Sequence, residues 1–298
     1  MNNLTEEIAS THLGKKSKGS ESYDSSLLVV IPREENRHQY EIDCNLPFKG
    51  FDVWHCYEFS TMTNAGLPVT RVLKIKYDCE NEYIVESKSL KLYLNSFNMS
   101  KFGENIEGSL NICKEKIKQD LSDQLKTPVE TNFLDEKTEK AEIFKNYKNL
   151  LDYIDEQNLK IEHYKEAPDV LECSELKEIH EYYLKFDSLR SNCRVTHQPD
   201  FGDVFIYYKS TNHISEESLV KYLSSFRSEY HFHEECCEMI FKRLYDILGA
   251  SAKLFVCAMY TRRGGIDISP VRWSKNFTPP EVEVLSDITK FVRNGIKQ

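Results

Sequence analysis

The chain has 298 residues, enough for one large domain or two of ordinary size, and 40% hydrophobic with 12% aromatic content supplies real cores. Thirty-nine basic against 48 acidic residues leave a formal net charge of −9, which opposes condensation onto nucleic acid or an anionic bilayer and favours a small ligand. Nine cysteines, an odd number with no CxxC pair, fit neither a disulfide framework nor a zinc ribbon, so free thiols in a reducing compartment are expected.

The first twenty residues contain no apolar signal-peptide core, and no later stretch has the apolar length a bilayer crossing needs, so a cytoplasmic location is expected. Next come two β-branched and aromatic runs, 54–63 and 68–78, around Asn64-Ala65-Gly66, which predict a hairpin. The segment Ser89-Leu90-Lys91-Leu92-Tyr93-Leu94-Asn95-Ser96-Phe97 follows, and then 108–125 with apolar residues at helical spacing. Residues 127–184 mix charge runs with helical periodicity and read as a solvated connector plus the last strands of the first unit. Beyond them the order repeats. Strand-like runs at 191–199 and 202–211 precede Ser218-Leu219-Val220-Lys221-Tyr222-Leu223-Ser224-Ser225-Phe226, which matches the earlier segment at six of nine positions. An amphipathic run at 233–248, a strand at 253–261 and a hairpin partner after Gly265 complete the second copy.

The expected unit is two strands, two helices and two strands, written twice. Its sheet, with helices on one face, must cover the other face, so pairing or ring assembly is expected. The expected division falls at 1–165 and 166–298.

Four segments hold candidate chemistry. Cys193, placed on a strand ahead of the acidic turn Gln198-Pro199-Asp200, suits a nucleophile with a proton donor nearby, although a strand cysteine is in most proteins an inert core residue. Phe232-His233-Glu234-Glu235 opens a helix, where an acid is an ordinary cap or, functionally, an acceptor for the paired N–H donors of a guanine-like ring. Glu86-Ser87-Lys88 heads the first copy and reads equally as an exposed helix start. Arg262-Arg263-Gly264 offers guanidiniums beside a glycine for a phosphate, or a solvated hairpin turn. There is no GxGxxG after a strand, so a dinucleotide would not be held by a Rossmann unit.

Together these blocks resemble the 7-cyano-7-deazaguanine reductases, the nitrile reductases of queuosine biosynthesis, in their longer two-module form. The likeness begins at Leu13-Gly14-Lys15, Tyr23-Asp24-Ser25-Ser26-Leu27-Leu28, Ile31-Pro32-Arg33 and Asn45-Leu46-Pro47-Phe48. It continues through Glu86-Ser87-Lys88-Ser89-Leu90-Lys91, Ser191-Asn192-Cys193, Gln198-Pro199-Asp200, Phe232-His233-Glu234 and Thr261-Arg262-Arg263-Gly264-Gly265. One departure is Phe201, where the family pattern has Trp.

The resemblance implies an α+β protein of tandem tunnelling-fold modules, each an antiparallel four-stranded sheet with two helices on one face, and a homodimer. It implies that Cys193 adds to the nitrile of 7-cyano-7-deazaguanine as a covalent thioimide, with Asp200 and His233 delivering protons. It further implies that Glu86, Ser87, Phe232, His233 and Glu234 bind the free base, and that Ser87, Lys88, Arg262, Arg263 and Gly264 bind NADPH, two per turnover, with no metal. Cys236, one helical turn from His233, is placed to pair with Cys193 on oxidation. Two alternatives stand beside this reading: a GTP cyclohydrolase-like enzyme, whose Cys/His metal spacing is missing here, and a non-catalytic deazapurine- or pterin-binding protein.

Overall fold

The computed structural model describes residues 22–292, so the Leu13-Gly14-Lys15 block lies outside the described residues. Val30–Pro32 (β1) and Glu34–Gln39 (α1) lead into a long hairpin of Phe48–Met62 (β2) and Pro68–Asp78 (β3). Gly66 turns it at φ 88°, a left-handed conformation that glycine adopts without a Cβ penalty. Tyr83–Val85 (β4) pairs antiparallel with β1, and two helices follow, Ser87–Asn95 (α2) and Ile106–Leu125 (α3). Asn105 caps α3 by accepting from the Gly108 N–H at 2.8 Å, and Lys126 ends it in a left-handed conformation. Val129–Leu134 (β5) then returns along β3.

Between β5 and β8 the connector holds two two-residue strands, Lys140–Ala141 (β6) and Lys148–Asn149 (β7), and two short 3-10 turns, Leu150–Tyr153 and Pro168–Val170. The second copy begins with Cys173–Asn192 (β8) and Pro199–Ile214 (β9), then Glu216–Ser224 (α4) and His233–Leu248 (α5), then Lys253–Tyr260 (β10) and Ile266–Ser274 (β11). Pro280–Ser286 (α6) and Phe291–Val292 (β12) close the described chain, with β12 lying parallel to β6. The matched nine-residue segments thus cover most of α2 and α4 and the two residues after each, and each helix is entered from a cap residue whose side chain accepts backbone N–H groups, Glu86 and Ser215.

Both copies share one eight-stranded sheet, ordered β5-β3-β2-β11-β10-β9-β8-β7. Its seam is the antiparallel pairing of β2 with β11, continuous from Ile266↔Cys56 to Ser274↔Phe48. Gly50 makes the seam possible: a Cβ there would lie 2.2 Å from the Val271 carbonyl and 2.7 Å from the Arg272 side chain.

Strand alternation sorts the side chains into two layers. On one face Trp54, Leu73 and Ile75 pack with Leu90, Ile117 and Leu121 of α2 and α3, while Ile206, Leu254 and Val256 pack with Leu219, Ile240 and Leu244 of α4 and α5. Each such large apolar side chain contributes roughly 1.5–3 kcal/mol on burial. The opposite face, including Phe51, Phe205, Phe255 and Trp273, is covered from within the chain by Phe144, Tyr147, Val282, Leu285 and Val292.

Three expectations change. The first copy places only three strands together in the main sheet, β2, β3 and β5, because the chain after β5 leaves to cover the outer face; its two-residue β7 joins the sheet apart from them, parallel to β8 at the far edge. That face therefore does not depend on a second chain for cover over this area. The first strand of the second copy is 173–192 rather than 191–199, and Cys193 sits just beyond its end, in the β8–β9 turn. Among the described residues no helix is long and apolar enough to cross a membrane.

Candidate active site

A cavity of about 270 Å³ lies between the copies on the helix side of the sheet. The first copy supplies the head of α2; the second supplies the β8–β9 turn, the head of α5 and the β10–β11 turn. Cys193, Asp200, His233, Glu86, Ser87, Lys88, Phe232, Glu234, Arg263 and Gly264 all line it. Arg262 does not: it is exposed, and its guanidinium sits 4.8 Å from the centre of the Tyr57 ring.

The turn carrying Cys193 is tightly bonded. The Cys193 N–H donates to the Gln198 carbonyl at 2.9 Å, the His197 N–H donates to the Cys193 carbonyl at 2.9 Å, and the Thr196 N–H points to Sγ at 3.5 Å. His197 pays a conformational penalty for the reversal, at φ 57°. Cys193 is partly exposed and Cys236 fully buried; both are free thiols, and burial pushes the Cys236 thiol up to about 12.

Asp200 is buried, accepts from Arg263, and faces His233 Nε2 at 3.4 Å. Burial alone would raise its carboxyl, but His233 and Arg263 outweigh that and hold it below the usual range. The His233 ring stacks on Tyr260 at 3.7 Å and 6°, and its Nδ1 is buried with no hydrogen-bond partner among the described residues. Phe201, the next residue on β9, points to the opposite face and is 48% exposed.

The two acids at the head of α5 divide their tasks. Glu235 Oε2 accepts the Phe232 N–H at 2.9 Å and so performs the ordinary capping role. That leaves Glu234 aimed into the cavity, 2% exposed, with Oε1 lacking a partner. Burial, and then the neighbouring Asp52 charge, push its carboxyl up to about 8 against the pull of Arg33. At the head of α2, by contrast, Glu86 caps the helix with both oxygens, accepting from Lys88 N at 2.9 Å and Ser89 N at 2.6 Å. It is buried rather than an exposed surface charge.

Several neighbours were not anticipated. Arg33, Arg37 and Arg272 form a buried charge cluster with Asp52 and Glu238, through bonds of 2.6 Å (Arg33–Asp52), 2.8 Å (Arg272–Asp52), 2.8 Å (Arg37–Glu238) and 2.9 Å (Arg272–Glu238). Burial opposes the Glu238 charge, but Arg37 and Arg272 prevail and lower its carboxyl to about 2. Of these five only Arg33 fell within a motif block; Asp52 in β2 and Arg272 in β11 showed in the sequence merely as charges within strand-like runs. Trp54, Lys91, Thr196, Gln198 and His231 also line the cavity, and of these Lys91 and Gln198 fell within the motif blocks. Among the described residues no group of three or more His, Cys, Asp or Glu is arranged to hold a metal ion.

Known proteins carry the same arrangement of sequence. Residues 20–133 match the family model described as nitrile reductase, 7-cyano-7-deazaguanine-reductase N-term, and residues 199–278 match the model described as QueF-like protein. A relative from Buchnera aphidicola subsp. Schizaphis graminum (strain Sg), named NADPH-dependent 7-cyano-7-deazaguanine reductase, is 40% identical over 255 residues, 85% of this chain and 94% of its own. With both models matched in order and the likeness running through both copies, the chain belongs to the 7-cyano-7-deazaguanine reductase family.

Proposed function

We propose that this protein is an NADPH-dependent oxidoreductase that reduces the nitrile of 7-cyano-7-deazaguanine to the aminomethyl group, with Cys193 as nucleophile. The observation that carries the reading is the buried, unpartnered Glu234 oxygen in the same cavity as a thiol. A guanine-like edge presents adjacent ring N–H and exocyclic amino donors, which satisfy a carboxylate that is otherwise costly to bury. Glu86, Ser87, Phe232 and His233 complete the base site.

Addition of Cys193 Sγ to the nitrile carbon forms the C–S bond and breaks one C–N π bond, and the thiol proton ends on nitrogen. Asp200, held as an anion, is suited to take that proton from Cys193 and pass it on with His233. NADPH, when bound, supplies hydride, two per nitrile reduced to amine. Lys88 and Arg263 are the cations for its phosphates: no described side chain pairs with the Lys88 ammonium, and Arg263 is partly exposed at the cavity. Gly264, at φ 58°, keeps backbone where a Cβ would lie 3.3 Å from Lys91 Nζ. Arg262 would join only by leaving Tyr57. The reaction needs no metal in this reading.

The reading extends to the architecture. Tandem tunnelling-fold modules, 1–165 and 166–298, account for the duplicated order of elements, and the assembly proposed is a homodimer acting on the free base rather than on nucleic acid. The test mixes reduced protein with 7-cyano-7-deazaguanine, without and with NADPH, following intact mass and nicotinamide absorbance. The expected result is an adduct on Cys193, absent in Cys193→Ala, that turns over with two NADPH oxidised per amine. Absence of both adduct and NADPH oxidation would overturn it.

A further inference from the structure

The β8–β9 turn has to present a thiol to within a few tenths of an ångström, yet turns are the least rigid place to build a site. Arg263 addresses that problem from across the cavity mouth. Its Nη2 donates to Thr196 Oγ1 at 2.7 Å and to Gln198 Oε1 at 2.7 Å, while Nη1 reaches Asp200. Its own turn is closed by the Arg263 N–H to the Ile266 carbonyl at 2.8 Å. That turn is tied in addition to the first copy, where Lys91 donates to the Gly264 carbonyl and pairs with Glu58 at 3.2 Å. The other end of the Cys193 turn is held separately, through Arg194 to Glu235 at 3.4 Å and to the Tyr230 carbonyl at 3.3 Å.

We propose that Thr196 and Gln198 are positioning residues for Cys193: Arg263 grips their side-chain oxygens, and the grip aims the Thr196 N–H at the cysteine sulfur. Thr196 is the only residue of the described turn whose side chain meets Arg263 and whose N–H meets Sγ. Gln198 adds the second handle, and its carbonyl accepts the Cys193 N–H. Without both oxygens Arg263 keeps Asp200, but nothing from the far turn holds the residues between Cys193 and Pro199. The inference rests on Cys193 being the nucleophile.

The test uses Thr196→Val, which keeps the shape and removes the hydroxyl, with Thr196→Ser as the conservative partner. Two rates are read on the full chain: alkylation of Cys193 by iodoacetamide, located by mass, and single-turnover adduct formation with 7-cyano-7-deazaguanine. Loss of a hydrogen bond worth about 1 kcal/mol predicts that Thr196→Val slows both rates about five- to tenfold. The affinity of the base for the Cys193→Ala background should stay unchanged, the thermal midpoint should fall by no more than about 2–4 °C, and Thr196→Ser should restore the rates. In an Arg263→Ala background, Thr196→Val should add less than about twofold, since all that the hydroxyl then still holds is the Gln198 N–H, at a long 3.4 Å. Parent-like rates in Thr196→Val, or a full Thr196→Val effect without Arg263, would overturn the proposal. If the parent itself forms no nitrile adduct, the catalytic reading fails, while the alkylation comparison still decides whether Thr196 positions the thiol.

Discussion

Two carboxylates, one from each copy, stand at helix heads facing one cavity, and they are used differently. Glu86 at α2 gives both oxygens to backbone N–H groups, whereas Glu234 at α5 is relieved of that task by Glu235 and keeps an oxygen unpaired. The difference teaches how an acid at a helix head is committed or freed: a capping acid stabilises its own helix, and a second acid one residue later, taking over the cap, frees the first for a ligand. The cost of that freedom is visible in the carboxyl at Glu234, raised to about 8 chiefly by burial.

The sharpest way to break this comparison is substitution at both heads. Glu234→Gln should weaken binding of 7-cyano-7-deazaguanine by roughly 100- to 1000-fold, because a base N–H then meets an amide donor or a neutral acceptor in a buried site. Titration calorimetry on a Cys193→Ala background reads this directly, and equal loss from Glu86→Gln would erase the distinction.

A second measurement concerns protons. If the base is bound by the Glu234 carboxylate, binding at pH 7 should release up to about one proton, since the free site holds that carboxyl largely protonated. Calorimetry in buffers of different ionisation enthalpy measures the release, and its absence in Glu234→Gln assigns it. The folded-state value is raised above the unfolded one, so the stability this group contributes is full at low pH and falls as pH rises from about 4.5 to about 8. Glu234→Gln should therefore gain stability on the parent across that window, by on the order of 1 kcal/mol or more, in urea melts at pH 5 and pH 8.

Smaller effects sharpen the other side. Glu86→Ala should cost about 1 kcal/mol of stability through loss of the α2 cap, measurable by chemical denaturation at fixed pH. His197→Gly should raise stability by roughly 0.5–1 kcal/mol by relieving the left-handed backbone, yet loosen the Cys193 turn.

Periodicity and repetition located α5, β3 and the two matched helices closely, because these are strongly patterned by apolar burial. The cavity residues were legible because motif blocks from both copies converge on it, Arg262 apart. What escaped was set by partners distant in sequence. The start of β8 was hidden because Cys173 to Tyr182 is polar and largely exposed, held by pairing with β9 rather than by its own core. Asp52 and Arg272 gave no local sign of meeting, and the alternation that turns Arg263 into the cavity and Arg262 onto Tyr57 depends on the register of a turn.

The seam between β2 and β11 has a consequence for how the molecule is made. Tyr57 hydrogen-bonds to Asp267, 210 positions away, so at about 5–20 residues per second the ribosome delivers β11 some 10–40 s after its neighbour. Through that interval the nascent first copy carries an open strand edge at β2, with Trp54 and Val53 beside it. Birth of the enzyme thus includes a window in which its central strand is an open edge, available for mispairing with another nascent chain.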